Sequence, residues 1–184
     1  MYNLYNDDFL NTSVALPPIT HIITDPEYDW DFEYWYPICR DLCPRGTIIA
    51  FCKPENQWTS PDERIFWIKT PSTKNYTRKL GRFVEIACVF WGWEKHTFNQ
   101  LHWSQMIGVY TDMVVDNTTH PWMKPLSLIE RLVRIYTNEG DTILDPFMGS
   151  GVTGVACKNL NRNFVGFEID KDYYETAKKE IDNA

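Results

Sequence analysis

The stretch from residue 142 to residue 168 constrains the fold more than any other part of the chain. Thr142-Ile143-Leu144 is a short apolar run that ends on an acid, Asp145, and enters the loop Pro146-Phe147-Met148-Gly149-Ser150-Gly151. An apolar, helix-like segment follows. A second apolar run, Phe164-Val165-Gly166-Phe167, then closes on Glu168, 23 residues after Asp145. A strand, a glycine turn, a helix and a second strand tipped with an acid form a unit that binds the ribose of an adenosine-containing cofactor. Gly149 and Gly151 would let backbone N–H groups approach the ligand, because no Cβ intervenes. Glu168 would accept hydrogen bonds from the two ribose hydroxyls.

The loop is not the dinucleotide fingerprint, which needs G-x-G-x-x-G/A to cradle a pyrophosphate. An acid at the end of the first strand repels a pyrophosphate and suits a cation. S-adenosylmethionine carries a sulfonium and an ammonium, so it is the expected cofactor.

The pattern around this unit extends the same architecture. Ile19–Thr24 and Thr47–Cys52 read as buried strands, with a helix over Phe32–Leu42 between them and Pro37 limiting or kinking it. Ile65–Lys69 and Val84–Trp91 read as further strands. Over Leu126–Tyr136 the apolar residues recur on one helical face, between Pro125 and Gly140. Thr142–Leu144, Val152–Leu160, Phe164–Phe167 and Asp172–Ile181 complete a β-α-β-α run. Alternating elements predict an α/β domain, a parallel sheet with helices on both faces. At 184 residues one domain, 1–184, is expected. The segment from 92 to 119 gives no clear elements.

Charge and cysteine content narrow the function. A net charge of −7 argues against nonspecific wrapping of DNA. Yet Lys69, Lys74, Arg78, Lys79 and Arg82 fall in one run without an acid, which suits phosphate contact. The five cysteines form no C-x-x-C pair, so no metal site is expected. Neither a secretion signal nor an apolar run long enough to span a membrane is present, and a reducing cytoplasm is the expected location.

His120-Pro121 through Lys124-Pro125, the Asp145–Gly151 loop and Gly166-Phe167-Glu168-Ile169-Asp170 together resemble the amino-methylating DNA methyltransferases, which act on adenine N6 or cytosine N4. The resemblance covers nearly the whole chain and is strongest over 120–181. It implies a Rossmann-like S-adenosylmethionine-dependent methyltransferase fold, a mostly parallel seven-stranded sheet with one reversed strand. In the similar subgroup a catalytic Asp-Pro-Pro-Tyr precedes the cofactor loop. This chain has Asp25-Pro26-Glu27-Tyr28 after Ile22-Ile23-Thr24, matching three of the four positions. By that resemblance the Asp25 carboxylate and the Pro26 carbonyl accept the two hydrogens of the target amine, and Tyr28 stacks on the flipped base. Glu27 removes a proline that would fix the backbone and adds a charge beside Asp25.

The resemblance also implies cofactor contacts. Asp8, or its neighbour Asp7, accepts from the cofactor's adenine amine, and Phe147 and Ile169 pack near that ring. Lys124 takes the methionine carboxylate, with hydroxyls from Ser150 and Thr153. Independently, the acid-free basic run makes Lys74, Arg78 and Lys79 the expected DNA-phosphate contacts. The expected function is site-specific adenine-N6 methylation of double-stranded DNA, as in restriction–modification. The alternatives are a catalytically impaired relative that binds S-adenosylmethionine and nucleic acid or a partner, and an RNA or cytosine-N4 methyltransferase. Residues 92–119 form a reduced target-recognition segment, so a homodimer would let two subunits share one duplex.

Overall fold

Short apolar runs rich in isoleucine and phenylalanine become the central strands because both of their faces are covered. The computed structural model describes residues 1–27, 31–52, 60–70, 84–93, 97–102, 108–113 and 124–184. In chain order the elements are β1 (Tyr2–Tyr5), β2 (His21–Thr24), α1 (Phe32–Leu42), β3 (Ile48–Cys52), β4 (Glu63–Thr70) and β5 (Val84–Phe90), followed by β6 (Val109–Met113), α2 (Leu126–Tyr136), β7 (Thr142–Asp145), α3 (Val152–Asn159), β8 (Asn163–Phe167) and α4 (Lys171–Asn183). Every residue of β2, β3 and β7 is buried.

Among the described residues the strands form one sheet of eight in the order β1-β8-β7-β2-β3-β5-β4-β6. Only β5 runs against its neighbours β3 and β4, and the other pairings are parallel. The mostly parallel sheet with one reversed strand agrees with expectation, but the count is eight rather than seven. The added edge strand is β1, whose Tyr2 to Tyr5 pair with Phe164 to Phe167 of β8. A four-residue edge strand of mixed polarity carries little periodic signal, and its partner lies at the far end of the sequence. The segment from 92 to 119 likewise contributes β6, beside β4.

Helices cover both faces. On one, α1 presents Trp35, Cys39 and nearby Cys43 to Ile22, Ile48, Ala50 and Leu144. Asp31 caps this helix by accepting the Glu33 N–H at 3.0 Å, and the helix continues through Pro37. On the other face, Leu128, Ile129, Leu132 and Val133 of α2 join Ala156 and Cys157 of α3, Ala177 and Ile181 of α4, and the opposite sheet face. These positions are why α2 and α4 are amphipathic in sequence.

Trp35 links the core to the loop after β7. It is fully buried, edge-on to Phe32 at 5.4 Å and to Phe147 at 6.3 Å. Trp35→Ala should therefore cost about 3–5 kcal/mol through lost burial and a cavity. Urea denaturation followed by far-UV circular dichroism measures it.

Candidate active site

The connections of β2 and β7 leave the sheet on opposite sides. From β2 the chain crosses through α1 to β3, and from β7 it crosses on the other face through α3 to β8, in the opposite direction along the sheet. The two strands are parallel neighbours, so a crevice opens where their carboxyl ends part, the usual ligand position in such sheets. A cavity of about 770 Å³ lies there. The turns after β1, β2, β7 and β8 all contribute to its wall. The end of β4 and, because β5 is reversed, the beginning of β5 reach the same edge and supply Lys69 and Glu85.

One end of the cavity is organised by Glu168. Its Oε2 accepts the Gly149 N–H at 2.9 Å, and its Oε1 accepts the Asp170 N–H at 2.9 Å. The N-terminal strand holds it from behind. The Glu168 N–H donates to the Tyr5 carbonyl at 3.1 Å, and the Asn6 amide donates to the carbonyls of Glu168 and Ile169 at 2.9 and 3.1 Å. Burial pushes the Glu168 carboxyl above its ordinary range, and the N–H groups of Asp170 and Gly149 pull it back in part. Asp8 faces the same space while its carboxylate accepts from the Leu10 N–H at 3.0 Å and the Asn11 amide at 2.6 Å.

Asp145 is almost completely enclosed, at 3% exposure. Burial pushes its carboxyl up to about 7, against the opposing hydrogen bonds of Thr24, Thr153 and the Phe147 N–H. The Thr24 hydroxyl donates to Oδ1 at 2.7 Å and the Phe147 N–H to the same oxygen at 3.2 Å. Among the described residues no cation is paired with Asp145, and an enclosed carboxylate so placed favours a cationic ligand.

Asp25 stands next to Thr24, and its Oδ2 accepts a hydrogen bond from the Lys124 ammonium. Its Oδ1 is buried and receives no hydrogen bond from the described residues. Lys124 also lies 3.1 Å from Glu85 Oε2, and Lys69 donates to Glu85 Oε1. Burial raises the Asp25 carboxyl, and Lys124 opposes that rise. Burial acts to raise Glu85 too, but Lys124 and Lys69 outweigh it and hold Glu85 below the usual range. For Lys124, burial acts to lower the ammonium, and Asp25 with Glu85 turns the net shift upward.

The fold brings most of the expected residues to this one cavity: Asp8, Asp25, Pro26, Lys124, Asp145, Phe147, Gly149, Ser150, Thr153, Glu168 and Ile169 all line it. Gly151 does not line it. This glycine caps α3 at a φ of 83°, and a Cβ there would lie 2.8 Å from the Ala177 Cβ. Tyr28 and the basic residues Lys74, Arg78 and Lys79 lie outside the described residues. Lys69 lies in β4, as the expected strand Ile65–Lys69 had it, but its place among the phosphate-suited basic residues needs a correction, because its ammonium is turned onto Glu85. Glu85 was not singled out from sequence, although it is the one acid inside the apolar β5 run, and that was the available signal.

An acid-tipped strand beside a glycine loop, at the switch point of a mostly parallel sheet, defines an S-adenosylmethionine-dependent methyltransferase fold. The DNA methylase family model, N6_N4_Mtase, matches residues 28–179, and the chain belongs to that family. It is 48% identical over 64 residues to the Type II methyltransferase M.HpaI of Haemophilus parainfluenzae, covering 35% of this chain and 20% of that protein. To the Type II methyltransferase M.BglI of Bacillus subtilis it is 29% identical over 133 residues, covering 65% of this chain and 38% of that protein. The matched stretches thus span well under half the length of these curated relatives. Among solved structures, the M1.HpyAVI–SAM complex is 32% identical with a TM-score of 0.75, covering 97% of this chain and 99% of that one. PvuII DNA methyltransferase (cytosine-N4-specific) is alike in fold alone, at 15% identity and a TM-score of 0.71, covering 97% and 87% of the two chains.

Gly151 yields a direct test of how the loop is seated. Gly151→Ala should cost about 1–3 kcal/mol, from a left-handed backbone and a crowded Cβ together. Adding Ala177→Gly should recover part of the crowding, since the Ala177 Cα still lies 3.0 Å from the new Cβ. Denaturation midpoints of both single variants and the double variant, compared as a cycle, take out the cost of a glycine in α4.

Proposed function

We propose that this protein methylates the exocyclic N6 amine of adenine at specific sites in double-stranded DNA, with S-adenosylmethionine as methyl donor. The observation that carries the reading is the buried Asp25 Oδ1, which takes no hydrogen bond from the described residues and belongs to the same cavity as Glu168. A buried acceptor without a donor is costly, and an amine hydrogen supplies what it lacks. Asp25 and the Pro26 carbonyl would accept both hydrogens and draw the nitrogen toward tetrahedral geometry. Tyr28 would stack on the flipped base. Adenine rather than cytosine is favoured by Asp, not Ser, at the first motif position.

The residues present suit the cofactor. A cavity of about 770 Å³ is within the ordinary size range of small-molecule sites. Glu168 is poised for the ribose hydroxyls and Asp145 for the ammonium. Lys124 has three donor hydrogens and can add the methionine carboxylate to its partners. Asp8, Phe147 and Ile169 would surround the adenine ring, with Gly149 and Ser150 along the methionine and Thr153 steadying Asp145. When bound, S-adenosylmethionine supplies an electrophilic methyl group on a sulfonium. The protein's own contribution is to align the amine with that methyl and to fix the charges around it. Lys74, Arg78 and Lys79, in an acid-free run of a chain with net charge −7, are assigned to DNA phosphates.

The direct test is incubation with methyl-labelled S-adenosylmethionine and unmethylated duplex DNA, followed by digestion to nucleosides. Label in N6-methyldeoxyadenosine is expected. Label in N4-methyldeoxycytidine would move the target to cytosine, and no label would defeat the reading. Asp25→Ala should abolish transfer while leaving S-adenosylhomocysteine affinity within about three-fold, because Asp25 serves the target amine.

Asp145 adds a pH dependence. Its folded-state carboxyl titrates at about 7, and a neighbouring ammonium favours the ionised form. Affinity for S-adenosylmethionine should therefore rise with pH from about 5.5 to about 7 and level off above. Asp145→Asn should flatten that dependence and lower the plateau. Calorimetric titration across the range is the measurement, and a wild-type affinity that is level below about pH 7 would refute the assignment.

A further inference from the structure

We propose that Glu85 is a positioning residue for methyl transfer, sharing the Lys124 ammonium with Asp25 so that Asp25 keeps its acceptor strength. The inference rests on the function proposed above and adds a residue to it. Lys124 donates to Asp25 Oδ2 and lies 3.1 Å from Glu85 Oε2. That Glu85 oxygen is buried and takes no aligned hydrogen bond from the described residues, so it is an acceptor in reserve beside the ammonium. The other oxygen, Oε1, is held by Lys69. The four groups form a chain of alternating charge, Lys69–Glu85–Lys124–Asp25, across the wall of the cavity.

A buried ammonium cannot be left without a carboxylate. If Asp25 were its only partner, Lys124 would draw the carboxylate charge onto Oδ2 and weaken Oδ1 as an acceptor for the target amine. Glu85 divides that pull. It also stays with Lys124 if Asp25 turns toward the base, so the exchange needs no proton transfer. The reversed strand makes the arrangement available, because β5 starts at the edge where β2 and β4 end.

The pH profile of transfer reads this role. The groups whose charge acts on Asp25 are Lys124 before α2, Glu85 on β5 and Lys69 on β4. Asp145 on β7 and Cys52 on β3 sense Asp25 in return, and Glu27 follows it in the same loop. Glu85→Gln removes one negative charge, leaves Lys124 wholly to Asp25 and makes Asp25 easier to ionise. The acid limb of the single-turnover rate should then move to lower pH while the plateau falls about ten-fold. S-adenosylhomocysteine affinity should stay within about three-fold, and Glu85→Asp should restore part of the rate.

A structural role alone would lower the rate with the limb unmoved. An unmoved limb, or a wild-type rate in Glu85→Gln, overturns the inference. Folded Glu85→Gln that binds no S-adenosylhomocysteine also overturns it. If Glu85→Gln loses its native far-UV circular dichroism, it has not folded, and Glu85→Asp carries the test. Its shorter reach must then lower the plateau and shift the limb in the same direction, and a wild-type profile overturns the inference. Wild-type protein that methylates no duplex would instead sink the proposed function, before Glu85 is altered.

Discussion

The hydrogen bond from the Thr24 hydroxyl to Asp145, at 2.7 Å, ties together the two loops on which the site depends. It crosses the point where β2 and β7, parallel neighbours, send their chains to opposite faces of the sheet. The residue after Thr24 is the proposed amine acceptor, and the residues after Asp145 form the glycine loop. One buried contact therefore sets the spacing between the target half and the cofactor half of the cavity. An in-line displacement tolerates little error in that spacing. The aromatic wedge of Trp35, Phe9 and Phe147 fixes the same junction from the α1 side.

Among the described residues the cavity wall carries seven carboxyl groups, Asp7, Asp8, Asp25, Glu27, Glu85, Asp145 and Glu168, and two ammonium groups, Lys69 and Lys124. Such a lining favours cationic, donor-rich ligands and disfavours phosphate. A nucleic acid can present a base here, but its backbone must be held elsewhere. The basic run from Lys74 to Arg82 is the counterpart proposed above in a chain that is acidic as a whole. Because the two lysines are already engaged by Asp25 and Glu85, they act inside the site and add little to the attraction of DNA at a distance.

The β7–α3–β8 unit was legible because all of its information is local. Apolar run, glycine turn, helix and acid follow one another, and each element closes on its neighbour in sequence. Asp25 was reached differently, through the resemblance of Asp25-Pro26-Glu27-Tyr28 to the family tetrapeptide, and it lines the same cavity as the glycine loop. β1 was not, because Tyr2 to Tyr5 become a strand only through β8. Lys69 was placed in its strand, but its charge was grouped with the basic run that follows, because its partner Glu85 lies on another strand. Glu85 was passed over because an apolar strand absorbed it, although an acid surrounded by Val84, Ile86 and Ala87 needs a buried partner. The partner, Lys124, is remote in sequence, and pairwise chemistry between distant segments leaves no periodic mark.

The pairing of β1 with β8 has a consequence for how the protein matures. The Met1 ammonium donates to Asn163 at 2.7 Å across a separation of 162 residues, and Tyr5 holds the backbone of Glu168. A chain leaving the ribosome therefore exposes β1 long before its partner exists. Asp8 and Glu168, on opposite sides of the closure, cannot face one another until β8 has been made. The end of the cavity proposed for the ribose thus closes only once β8 has been made, and nonlocal closure of this kind is slow. Cofactor present during refolding would act on that final step, as a clamp across the seam and not as a nucleus for the sheet.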